Sequence, residues 1–136
     1  MKLTDKRSAS IGSRQYVWYS FEVPEVKTES GCIELARKIA GLGKVERISC
    51  TGYHDMDTHE NYAFFDSLDD FESGLKGLKK IDVDTITVKL LVGDSSATVE
   101  ISPVWDNERG TGISVRGTGA EAAKKVADAL QKMKLD

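Results

Sequence analysis

Two imidazoles and three carboxylates crowd into one short stretch, His54-Asp55-Met56-Asp57-Thr58-His59-Glu60. Side chains of these types ligate divalent cations, and imidazole mixed with carboxylate suits zinc, manganese or iron better than calcium. His54, Asp55, Asp57 and His59 are the candidate metal ligands of a small metal-dependent enzyme. Glu60 is its candidate base, and Glu108 from a later polar loop a further carboxylate. The spacing is not that of HExxH, where two histidines share a helix face with a general base. It also departs from a calcium loop, because Glu60 stands where such loops need Gly for their turn. A solvated loop between two strands accounts for the same composition without a metal.

A second signal is Gly117-Thr118-Gly119-Ala120-Glu121-Ala122, a GxGxxA between an expected strand and an expected helix. Backbone N–H groups at such a junction can hold a phosphate, which makes Gly117, Thr118 and Gly119 a candidate anion site. A dinucleotide fold further needs a parallel strand and an acidic residue about 20 positions on, and Asp136 is reached before either. Capping by Thr118 with Glu121 explains the same residues. Nucleophilic catalysis has no support, since neither a GxSxG elbow nor a catalytic cysteine signature occurs. Cys32 and Cys50 fall on a helix face and a strand, and no CxxC pair exists. Beyond a divalent metal, no cofactor is expected.

The elements that must position these residues follow from periodicity. Val17, Tyr19, Phe21 and Val23 alternate as in a strand that Pro24 stops. Thr28 or Ser30 caps a helix with Cys32, Leu35, Ala36, Ile39 and Leu42 on one stripe, and Gly41 and Gly43 end it in the left-handed closing conformation. Strands are expected over 44–53 and 62–65. Ser67 with Asp70 then caps a helix striped by Leu68, Phe71, Leu75 and Leu78. Alternation returns at Ile86, Val88, Leu90 and Val92, at Val99 and Ile101, and at Ile113 and Val115. The last helix presents Ala122, Val126, Ala127, Leu130 and Met133. The order β-α-β-β-α-β-β-β-α predicts an α+β fold, a mostly antiparallel sheet with helices packed on one face. Residues 1–14, polar and small, are expected as a flexible N-terminal tail, and 15–136 as a single α+β domain.

Two pattern matches accompany this order. Shifting the sequence by 51 residues lays Ile48 on Val99, Cys50 on Ile101, Tyr62 on Ile113, Phe64 on Val115 and Ser67 on Thr118, an internal ββα echo with almost no identity. The first six elements also follow the order of a ferredoxin-like split unit, a topological analogy without functional content.

The chain has 136 residues, 40% hydrophobic and 30% charged, with a net charge of −3. That net charge argues against nucleic acid as a partner. No apolar run is long enough for a secretory signal or a membrane span, so a cytoplasmic location is expected. With helices on one face only, Tyr16 and Trp18 point to the bare face, as do Leu91 and Val104 on their strands. Exposed aromatic residues of this kind mark interaction surfaces. The balance favours a non-enzymatic protein-binding or regulatory module that meets a protein partner, or a second copy in a homodimer, through this face.

Overall fold

The computed structural model describes residues 1–54, 60–65, 67, 69–71, 73, 81–103, 110–117 and 120–134. The elements are β1 (Lys2–Ile11), β2 (Arg14–Val23), α1 (Glu29–Ala40), β3 (Lys44–His54), β4 (Glu60–Phe65), β5 (Ile81–Val92), β6 (Ser95–Ser102), β7 (Thr111–Gly117) and a last helix, Ala120–Lys132. Between β4 and β5 lies a helical segment, α2, described at Asp69, Asp70, Phe71 and Ser73; the last helix is therefore α3. All seven strands form one sheet in the order β1-β2-β7-β6-β5-β3-β4. Every neighbouring pair is antiparallel.

This is the α+β architecture that the periodicity predicts, with one strand more. Residues 2–11 are not a loose tail. They form β1, paired along β2 from Lys2↔Glu22 to Ile11↔Arg14. Two residues, Gly12 and Ser13, make the turn, and Gly12 has φ 64°. Tight two-residue hairpins need positive φ at their first central position, which Gly supplies without a Cβ penalty. β1 lacks an apolar stripe because it is an edge strand, mostly exposed on both faces. Gly93-Asp94 joins β5 to β6 in the same way, with Gly93 at φ 65°.

The core lies on one face. Val17, Tyr19, Phe21 and Val23 of β2 are buried, together with Ile86, Val88 and Leu90 of β5, Ala97, Val99 and Ile101 of β6, and Ile113 and Val115 of β7. Helix α1 packs over β5 and β6, and α3 over β6, β7 and β2. They contribute Cys32, Leu35, Ala36 and Ile39, and Ala122, Ala123, Val126, Ala127 and Leu130. Caps form as the sequence implies: the Gly31 N–H donates to Thr28 Oγ1 at 3.1 Å and the Asp70 N–H to Ser67 Oγ at 3.1 Å. Among the described residues no helix is long and apolar enough to cross a membrane.

Four details depart from expectation. Gly41 closes α1 in the right-handed region, φ −73° and ψ −8°. Gly43 serves close approach instead, since a Cβ there would sit 2.9 Å from the Leu91 carbonyl oxygen. The ferredoxin-like analogy fails, because β2 has β1 and β7 as neighbours and lies three strands away from β5. The internal echo holds as element order and stops there. Ile48 and Val99 both pair with Val88, and Cys50 and Ile101 both pair with Ile86. Yet β4 lies outside β3 on one side of β5, while β7 lies outside β6 on the other. β3 and β6 run in the same direction with Ile48 and Val99 on the same face, so the two hairpins have opposite hands and no rotation superposes them. The pairing is also one residue out of step: Ile48 meets Phe65, where the shift requires Phe64.

The entry to β7 is a clamp. Gly110, at φ 68°, approaches β2 so closely that a Cβ would lie 2.4 Å from the Val23 carbonyl oxygen. The fully buried Thr111 donates both its N–H (3.2 Å) and its Oγ1 (2.9 Å) to the Val26 carbonyl oxygen, with Cys32 Sγ at 3.4 Å from that hydroxyl. These bonds tie the link between β2 and α1 to the far end of the chain. Gly110→Ala is expected to cost about 3 kcal/mol or more, combining the left-handed penalty with a backbone clash. Gly12→Ala, where a Cβ meets nothing within 4 Å, is expected to cost only about 1 kcal/mol. Urea unfolding of the two variants checks this; equal losses would contradict the clamp.

Candidate functional site

Side chains that alternate with the core residues point to the face on which, among the described residues, no helix packs. Tyr16 and Trp18 stand there on β2, both half-buried, their rings stacked with centroids 6.0 Å apart and planes inclined by 18°. Leu91 is half-exposed on β5. Three inter-strand steps, about 14 Å, separate β2 from β5, and Arg116 of β7 and Thr98 of β6 stand between them. Tyr16 and Trp18 therefore do not join Leu91 in one apolar patch. Val104 lies outside the described residues.

What the register assembles is a transverse row. Arg7 pairs with Trp18, Trp18 with Arg116, Arg116 with Thr98, Thr98 with Lys89, and Lys89 with Arg47. Cross-strand partners share a face, so four cationic side chains and one indole cross six strands in register, over about 24 Å. The next row, two residues along, is Asp5, Ser20, Ser114, Glu100, Thr87 and Ser49. A concavity of about 630 Å³ opens where the two rows meet β1, lined by Asp5, Arg7, Ser8, Ala9, Trp18, Ser20 and Ser114. Trp18 lines it and Tyr16 does not.

Arg7 Nε lies 2.6 Å from Asp5 Oδ2 and Lys89 Nζ 3.3 Å from Glu46 Oε2. The Arg7 side chain is 79% exposed, and pairs in that setting contribute about 0–1 kcal/mol, so an incoming anion exchanges with them at little cost. Net charge could not reveal the row. The acidic excess of the chain sits largely in 55–84, with Asp55, Asp57, Glu60, Asp66, Asp69, Asp70, Glu72, Asp82 and Asp84, whereas the cations of the row come from four separate stretches aligned only by pairing.

The other sequence candidates are placed in part. His54 ends β3, while Asp55, Asp57 and His59 lie outside the described residues, as does Glu108. Gly117 ends β7, and Thr118 and Gly119 lie outside. Among the described residues no three His, Cys, Asp or Glu side chains come together.

Because Trp18 is on the open face and Phe21 is sealed in the core (2% exposed), their removal should differ in cost. Phe21→Ala is expected to lose about 3–5 kcal/mol and Trp18→Ala less than about 1.5 kcal/mol in urea unfolding. A Trp18→Ala loss equal to that of Phe21→Ala would place the indole in a core.

No family model, curated protein or solved structure matches this chain, so its function has to be argued from the open face of the sheet.

Proposed function

We propose that the chain is a non-enzymatic binding module whose working surface is the helix-free face of the sheet, and that its ligand there is anionic. The observation that carries this reading is the in-register row Arg7, Trp18, Arg116, Thr98, Lys89 and Arg47. A rigid sheet with buried alternate residues holds such a row in fixed spacing, so little entropy is lost when a partner meets it. Arginine with an exposed aromatic is also the composition of energetic centres in interfaces. The expectation of a protein partner or a second copy carries over with this qualification: the surface is cationic and hydroxyl-rich more than apolar. A second copy would have to set its own acidic groups against the row.

Site-specific photo-crosslinking in cell extract tests the choice of face. A benzoylphenylalanine replacing Thr98, at the centre of the row, is expected to give a discrete adduct that Arg116→Glu abolishes. The same group replacing Lys125, exposed on α3, is expected to give none. Adducts from position 125 alone, or from neither position, would contradict the reading. An adduct at twice the chain mass would identify the partner as a second copy.

A further inference from the structure

We infer that the anionic ligand of this face is a single-stranded nucleic acid, an inference that rests on the binding-face reading above and names its partner. Charge complementarity is the first argument. The row sets Arg7 and Arg116 on the two sides of Trp18, one strand away each, and continues to Lys89 and Arg47. Its length of about 24 Å is that of a short run of nucleotides, and its cations recur at the distances a flexible phosphate chain can follow.

The second argument is the slot. Tyr16 and Trp18 already form a two-ring stack, and Trp18 also lines the concavity. A planar, unpaired base entering it can stack on the indole. Ser20, Ser114 and Asp5 line the same space and offer hydroxyl donors and a carboxylate acceptor to base edges. Stacking of this kind tolerates sequence, since every base has a π face. An acidic peptide would satisfy the cations but has no planar group for the slot. Duplex DNA keeps its bases stacked inside and leaves the slot unused.

The net charge of −3 does not oppose this, because binding depends on the local field within about 10 Å and not on the sum over the chain. Glu100 and Asp5 in the adjacent row limit the affinity and confine the phosphate track to the row itself.

Fluorescence anisotropy on the full chain tests the inference, with labelled dT12 and U12 as probes and a blunt duplex and poly-L-glutamate as competitors. Saturable binding of dT12 or U12 is expected, weakening about 20-fold between 50 and 200 mM salt for three neutralised phosphates. Trp18→Ala should weaken it at least tenfold and Arg116→Glu likewise. Lys124→Glu on α3 should change it less than threefold. Circular dichroism of each variant confirms folding, and Trp18→Phe, which keeps a ring, should recover most of the affinity. Polyglutamate competing as well as dT12, with no effect of Trp18→Ala, would overturn the nucleic-acid inference while leaving an anion-binding face. No binding of either oligonucleotide at 50 mM salt, with a positive crosslink from position 98, would likewise reject nucleic acid and keep the face. Failure of both the crosslink and every anionic probe would remove the reading on which the inference rests.

Discussion

An antiparallel sheet sorts its residues by parity, and here the pairings on either side of one core row sort six strands at once. Val88 lies between Ile48 and Val99, and Val99 lies against Val115, all fully buried. Side chains alternate between faces with period two, so fixing this core row also fixes which residues cannot be in it. Arg47, Lys89, Thr98, Arg116 and Trp18 are each one position from a core residue. Slipping β5 or β7 by a single residue would drive Lys89 beneath α1 or Arg116 beneath α3, and an unpaired buried charge is far more costly than a lost pair of hydrogen bonds. The energetics that bury the core therefore align the cationic row as a consequence. The row needs no interactions of its own to hold it together.

Two further devices keep that sheet in one state. At one end, Gly110 and Thr111 lock the start of β7 onto the link between β2 and α1. The strand pair that carries Trp18 and Arg116 is thus tied to a helix that packs elsewhere on the sheet. At the outer edge, β1 places Lys2, Lys6 and Arg7 along the unpaired side of the sheet, with a register irregularity between Leu3 and Asp5. Charged side chains and bulges discourage another strand from adding to an edge. Lys6 also lies over the Tyr19 ring, 5.6 Å from its centroid, covering the end of the core where β1 supplies no apolar stripe.

The parts of this fold written in local periodicity were legible in the sequence. Alternation over 17–23 and 86–92, the stripes of α1 and α3, and the caps at Thr28 and Ser67 each depend on neighbours a few residues away. The parts that depend on distant partners were not. β1 has no hydrophobic alternation because an edge strand buries little, although Gly12-Ser13 was a usable hairpin signal. Gly43 reads as a helix stop, but its lack of a Cβ matters against Leu91, a contact that no local pattern encodes. The aromatic half of the proposed surface, Tyr16 and Trp18, was visible from parity in β2 alone. Its cationic half was not, because Arg7, Arg47, Lys89 and Arg116 become neighbours only through five pairings whose order is non-local. The separation of Trp18 from Leu91 on that face was hidden for the same reason: strand order, unknown from sequence, inserts β7 and β6 between them.

The central claim is that one face of the sheet is sealed and the other open to solvent. Methyl resonances read in the presence of a soluble gadolinium chelate measure this directly, without altering a residue. Thr87 and Thr98 methyls should broaden strongly, while Val88 and Val99, one position away on the same strands, should be spared. Protection of Thr87 and Thr98 equal to that of Val88 and Val99 would mean that both faces are covered, and the account would be wrong.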